Sequence, residues 1–425
     1  MLKCSTLMCL SLVFGQAHAA EQWLLTADLW GNPVYGTLTL TSKGDNLSGD
    51  IDGDKLSGHR QGTSLTFEST DANGAVYHYE GKMQDNTIEG IADFPDTNHP
   101  KVAFSARKIA TRPEGQPRRY EFMPTNYSNL FDPHRTPVLT IWPGDTVQTK
   151  TIDSGGVDEH GVTKALFGNP QTGPFFIATA APGDTLVIRI NRLRLNRDYA
   201  DSLDAIVGRA LGARFATQAD ELGKPVRWKL DRERGMASLE TPTEHLKDYT
   251  IKVRPMLGGL AVAPGFGSAP VSTGDTGRFG GNMDFNEVVE GNIVYLPVQQ
   301  PGALLYLGDA HALQGDGETS QYALETSMDV EFMVDVIKAK SIAMPRVESP
   351  DQIMVLGQAG SLDEALRSAT TGLIQWLQQD YGLTLPECAI LLGSAAHYSV
   401  PNLAGRSVGV ALKLDKSLLT MPRLQ

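Results

Sequence analysis

The chain has 425 residues, with 37 basic against 49 acidic side chains and a formal net charge of −12 with histidine neutral. That balance argues against a nucleic-acid partner or an anionic membrane surface, because both need clustered Lys and Arg. The length exceeds the ~250–300 residues at which one hydrophobic core usually stops growing, so two or more domains are expected. Forty-three glycines and 24 prolines are spread along the chain, which points to many turns between strands rather than to disorder.

Residues 1–19 read as an export signal, with Lys3 as the positive end, Leu7 to Phe14 as the apolar core and Ala17-His18-Ala19 as the small-x-small cleavage pattern. The apolar run is about half the ~20 residues a membrane-spanning helix needs. The expectation is a periplasmic or secreted chain starting at Ala20, with no membrane insertion of the mature protein. Cleavage removes one basic residue, leaving 36 basic against 49 acidic, a net −13. It also removes Cys4 and Cys9, so Cys388 stands alone and no intramolecular disulfide is possible.

From 20 to 107 the stretches Gly36-Thr37-Leu38-Thr39-Leu40, Ser64-Leu65-Thr66-Phe67-Glu68 and Val76-Tyr77-His78-Tyr79-Glu80 alternate apolar and polar side chains between Gly, Asp and Asn turns. Period two means half-buried antiparallel strands, and the segment is expected to be a small all-β module in the form of an open barrel. Asp50-Ile51-Asp52-Gly53-Asp54 lacks the spacing and terminal Glu of a calcium loop and reads as an Asp-Gly hairpin turn.

Residues 108–119, with Thr111-Arg112-Pro113-Glu114-Gly115-Gln116-Pro117, read as a linker, and 120–425 as a larger domain. It opens on an internal echo: Pro143-Gly144-Asp145-Thr146 returns as Pro182-Gly183-Asp184-Thr185, each leading into a β-rich run. Helix appears late. Ser361 and Glu364 form a capping box before Leu362, Leu366, Ala369, Leu373 and Leu377 at helical spacing, and Thr384 with Glu387 repeats it with Pro386 in the first turn. The fold class is therefore mainly β (α+β): a small N-terminal antiparallel module, then a β-sandwich-rich domain with a few C-terminal helices that pack against it. Cys388 falls in the second helix, where an inert buried thiol is expected.

Chemistry concentrates between Gly258 and Glu325, where glycines crowd around carboxylates and one histidine. Asp309 and His311 are two residues apart, so an extended strand would project both to one face, as paired metal ligands require. Asp316 and Glu318 share that spacing. Imidazole with carboxylates suits zinc or a similar divalent ion, and a carboxylate-and-carbonyl cluster could hold calcium. Taken alone, the segment reads first as an Asp-Gly turn with His311 a satisfied loop residue. Gly265-Phe266-Gly267-Ser268-Ala269 is no nucleophile elbow, and no phosphate-binding glycine loop follows a strand.

Several strings in order change that weighting. Pro137-Val138-Leu139-Thr140, Asn169-Pro170, Gly280-Gly281-Asn282-Met283-Asp284, Leu296-Pro297-Val298 and Gly308-Asp309-Ala310-His311-Ala312-Leu313-Gln314-Gly315-Asp316-Gly317-Glu318 resemble successive signatures of the acetamidase/formamidase family, from about Arg119 to Leu414. The resemblance implies a β-rich domain that hydrolyses short amides such as formamide or acetamide to ammonia and a carboxylate through a metal-activated water. It implies a divalent metal, zinc before calcium, held by Asp284, Asp309 and His311, with Asp153 and Glu325 as further ligands. Glu318 is then the general base, Asp316 a ligand or orienter, and Asn282 an oxyanion donor or a residue that holds a ligand. It also implies a homo-oligomer. The competing expectation is a non-catalytic exported binding protein with a structural calcium.

Overall fold

A computed structural model describes residues 20–95, 101–112, 114–265 and 268–424. The expected export signal lies outside the described residues. The chain divides into two compact units, 1–109 and 110–425.

The first unit is a barrel of eight antiparallel strands among the described residues, running from Glu21–Leu29 to Lys101–Lys108. Alternate side chains point inward, as in Ser64–Thr70, where Leu65, Phe67 and Ser69 are buried. Asp52 and Gly53 both take positive φ between two strands, the twist that an Asp-Gly hairpin turn supplies. The open barrel expected from the sequence is corrected: Trp23–Ala27 pairs antiparallel with Phe104–Lys108, so the sheet closes on itself. Closure leaves no unpaired strand edge to recruit another chain.

The second unit stacks two large sheets, of eleven and nine strands among the described residues. In Thr185–Leu195 of the nine-stranded sheet, Leu186, Ile188 and Ile190 face the shared core with Leu257, Leu260, Leu305 and Leu307 of the other sheet. Val187 points the opposite way, into a second core with Ala369, Leu373, Trp376 and Leu377 of the helix Leu362–Tyr381. The order of layers is thus sheet, sheet, helix. The Ser361 cap is present. The buried face is rotated from the expected one: Leu362 and Leu366 are exposed, while Ala365 and Ala369 seat the helix on Gly357, where a Cβ would lie 1.9 Å from the Ala365 carbonyl. Cys388 is buried, as expected.

The echoed turns are built alike. Asp145 accepts the Trp142 N–H and Asp184 the Ala181 N–H, both at 2.9 Å, and Gly144 and Gly183 share φ 89°. Each delivers a strand, Thr146–Lys150 and Thr185–Leu195, to opposite edges of Met328–Ile337.

The far end of the helix is tied by charge. Asp380 is buried and accepts from Lys340, Trp376 and Arg423, while Glu348 accepts from Tyr295, Arg423 and Lys416. Burial pushes the Asp380 carboxyl up, but the Lys340 and Arg423 hydrogen bonds outweigh it and leave it below its ordinary range. A depressed carboxylate contributes stability above its unfolded pKa of about 3.9 and loses it as pH falls through the folded value. Asp380→Asn should therefore lower stability in urea melts at pH 7 by about 3 kcal/mol, the scale for breaking a buried pair. The gap from wild type should close below about pH 4; a gap that persists at low pH would assign the loss to packing instead.

Candidate metal centre

The centre is assembled on the eleven-stranded sheet. Met256–Ala261 pairs on one side with Gly280–Asn282 and on the other with Leu305–His311, and Leu305–His311 also pairs with Glu325–Thr326. His311 and Glu325 are direct cross-strand partners, so their side chains share a face. Asp284 follows the Gly280–Asn282 strand, and its N–H donates to the Gly258 carbonyl at 3.1 Å.

Two overlapping groups result, Asp284 with Asp309 and His311, and His311 with Glu318 and Glu325, each offering ligand atoms within 4.8 Å of one another. All five side chains are buried, none more than 7% exposed. Asp284, Asp309 and Glu318 sit at φ 43°, 51° and 44°. Left-handed backbone at a residue with a Cβ costs about 1–3 kcal/mol and persists only where the surroundings impose it. Here it turns three carboxylates into the two groups that share His311.

Four of the five, Asp284, Asp309, His311 and Glu325, are held on one atom and left bare on another. Asp284 Oδ2 accepts 2.6 Å hydrogen bonds from both Asn282 and Asn402, and Asp309 Oδ2 accepts from Asn169 at 3.1 Å. His311 Nδ1 is 3.0 Å from Gln314 Oε1, an acceptor only, so Nδ1 carries a proton and Nε2 is the atom that offers a lone pair when the imidazole is neutral. Gln314 is itself fixed by donating to the carbonyls of Asp284 and Pro401. Asp284 Oδ1, Asp309 Oδ1, His311 Nε2 and Glu325 Oε2 are left buried without a hydrogen-bond partner. His311 Nε2 nevertheless lies 3.2 Å from Glu325 Oε1 and 3.6 Å from Asp309 Oδ1.

The electrostatics carry an excess of negative charge. Burial raises the Asp284 carboxyl, and Glu318 and Asp309 raise it further. Burial also raises Glu325. For Glu318, burial together with Glu325 and Asp309 outweighs the opposing pull of His311 and lifts the carboxyl to about 8. Burial lowers His311, but Glu325 and Asp309 overcome it and leave the imidazole well above its usual value. A cation among these groups would reverse each of these tendencies. One nitrogen and the carboxylate oxygens grouped with it form a donor set that fits a divalent ion.

The expected residues divide. Asp284, Asp309, His311, Glu318 and Glu325 come together. Asp153 does not join them: Oδ1 accepts the Val157 N–H at 2.8 Å and Oδ2 pairs with buried Arg197 at 2.7 Å. Arg197 in turn donates to the Glu325 carbonyl, so Asp153 braces the centre from behind. Asp316 is exposed and accepts from Asn286. The stretch Asp316–Glu318 is a 3-10 turn with Gly317 at φ 87°, not a strand, so residues two apart face different ways. Asn282 has both amide atoms engaged, Nδ2 on Asp284 and Oδ1 receiving Asn169 Nδ2 at 2.6 Å; it holds a ligand and is not a free oxyanion donor.

Asn169, Gln171, Gln314 and Asn402 were not foreseen in these roles. Asn169 and Gln314 lie inside the quoted motifs, but nothing in spacing singles out an amide as a holder. Gln171 is wedged where a Cβ on Gly259 or Gly308 would stand 2.5 or 2.9 Å from it, and it donates to the Asn169 carbonyl.

Residues 267–359, which contain all five clustered side chains, match the Acetamidase/Formamidase family. The match is confined to that stretch of the chain. Among acetamidase/formamidase relatives, a Schizosaccharomyces pombe protein named provisionally as a formamidase is 54% identical over 60 residues, 14% of this chain and 15% of its own length. The acetamidase of Yersinia enterocolitica has the same fold with TM-score 0.63 and 29% identity, over 72% of this chain and 94% of its own. The Bacillus halodurans acetamidase gives TM-score 0.59 and 25% identity, over 70% and 98%.

Proposed function

We propose that the protein is a metal-dependent hydrolase of short carboxylic amides, releasing ammonia and a carboxylate. The observation that carries this reading is the set of four bare ligand atoms, one from each of Asp284, Asp309, His311 and Glu325, beside the raised carboxyl of Glu318. The imidazole in the set favours zinc or a similar ion over calcium, which takes oxygen ligands. When bound, such an ion supplies Lewis acidity toward water and toward an amide carbonyl.

The chain's own groups supply the rest. Glu318 accepts a proton from the attacking water as the water oxygen bonds to the carbonyl carbon. It then returns that proton to the amide nitrogen as the C–N bond breaks, so ammonia leaves and a carboxylic acid remains, which gives its own proton to solvent as the carboxylate. Asn282, Asn402, Asn169 and Gln314 fix which atom of each ligand faces inward, which preorganises the centre. The near-complete burial of the cluster excludes bulk water and strengthens every charge interaction within it.

Ammonia release from formamide, acetamide and longer amides, with metal-replete and chelated protein, tests the reading. Release that a chelator suppresses supports it. No release from any amide by metal-replete protein would favour a structural ion in a binding protein. Gln314→Ala should weaken metal binding by about 10–100-fold in chelator competition, the usual effect of losing a partner of a ligating histidine. We further propose that the mature chain acts outside the cytoplasm, on the Lys3, Leu7 to Phe14 and Ala17-His18-Ala19 pattern. N-terminal sequencing of the expressed protein would reveal whether it begins at Ala20.

A further inference from the structure

The loop that brings Asn169 to Asp309 also presents Leu166 and Phe167 to solvent, 81% and 64% exposed. It is held firmly. Asn129 Nδ2 lies 3.2, 3.3 and 3.1 Å from the carbonyls of Leu166, Phe167 and Gly168, and the Ser154 carbonyl accepts the N–H groups of both Gly168 and Asn169. Thr273 donates to the Gly168 carbonyl from another side.

Facing Phe167, with ring centroids 6.2 Å apart, is half-buried Tyr322. Tyr322 belongs to the segment that carries the other half of the centre. It precedes Ala323, whose N–H lies 3.2 Å from both Glu318 Oε1 and Glu325 Oε1. Burial and the charges of Glu325 and Glu318 hold its phenol above the ordinary range. The two rings thus join the two segments that converge on the carboxylates.

A single exposed apolar residue needs no explanation. Two consecutive large ones, on a loop whose carbonyls gather on the Asn129 amide and beside a buried polar centre, match the anatomy of a ligand site, where polar groups hold the reacting part and apolar walls the remainder. We propose that Phe167 and Tyr322 form an acyl subsite that selects primary amides with an apolar acyl group larger than acetyl, branched or aromatic, over formamide and acetamide. The inference rests on the amide-hydrolase reading above and adds the substrate class.

The test compares kcat/KM for formamide, acetamide, isobutyramide and benzamide in wild type, Phe167→Ala, Tyr322→Ala and Tyr322→Phe. Wild type should favour the two larger amides. Both alanine variants should lower the benzamide-to-formamide ratio by about tenfold or more, the range that apolar pocket contacts supply, while Tyr322→Phe keeps the ratio because the ring remains. A wild-type ratio at or below one, or a ratio unchanged in both alanine variants, overturns the proposal. So does a Phe167→Ala protein that changes its sedimentation mass with the ratio intact, which makes the patch a contact between copies. Calorimetric titration of benzamide separates this failure from failure of the hydrolase reading. Benzamide binding that Phe167→Ala weakens sustains the subsite even without turnover, and no benzamide binding by wild type sinks it.

Discussion

Glu318→Gln should lower amide turnover by about 10²–10⁴-fold, the usual contribution of a general base, while leaving metal content and the thermal melt close to wild type. The substitution keeps the shape of the side chain and the acceptor that the Ala323 N–H uses. It removes only the capacity to take a proton. Glu318 differs from its neighbours in this respect: Asp284, Asp309, His311 and Glu325 each leave a bare atom inside the cluster, whereas Glu318 does not. Turnover retained at the wild-type level with metal present would remove Glu318 from the proton-transfer role, and loss of metal together with turnover would make it a ligand.

Gly258→Ala should abolish activity by a different route, through the backbone. A Cβ at 258 would stand 2.5 Å from Asp284 Oδ1 and 2.7 Å from Asp309 Oδ2. Flexible carboxylates could ordinarily step aside, but Asp284 is pinned by Asn282 and Asn402, and Asp309 by Asn169. The added methyl must displace at least one of them or shift the strand. Metal content should fall along with turnover, at a stability cost of about 1–3 kcal/mol, typical of overpacking. Metal analysis of the purified variant against wild type checks it; a fully loaded Gly258→Ala protein would show that the carboxylates have more freedom than their hydrogen bonds imply.

What could be read from the sequence follows the range of the interactions concerned. Alternation in Ser64 to Thr70 and the Asp52-Gly53 turn are local, and both are found in the barrel. Closure is not local, since it depends on Trp23–Ala27 meeting Phe104–Lys108 across the whole module. The capping box at Ser361 is local as well, but the helix face is chosen by how the helix folds back on Gly357 of the preceding strand, which admits Ala365 and Ala369 where a leucine would not fit.

The centre divides the same way. Asp309 and His311 lie within one strand and could be paired by spacing. Asp316 points away from the centre because Gly317 turns the chain between it and Glu318, which spacing alone does not reveal. Asp153 looked like a ligand until Arg197, 44 positions later by number, claimed its carboxylate. Asn402 reaches Asp284 from 118 residues away, and no pattern near either residue announces that hydrogen bond.

The left-handed backbone at Asp284, Asp309 and Glu318 sets how mutation would be tolerated there. Asparagine adopts that conformation more readily than most residues with a Cβ, and it carries no charge. Asp309→Asn should therefore melt at a higher temperature than wild type when both are chelated, although it would bind metal poorly and turn over little amide. Selection for heat resistance alone would erode this centre first, and a thermostable but inactive lineage should carry its changes at these three positions.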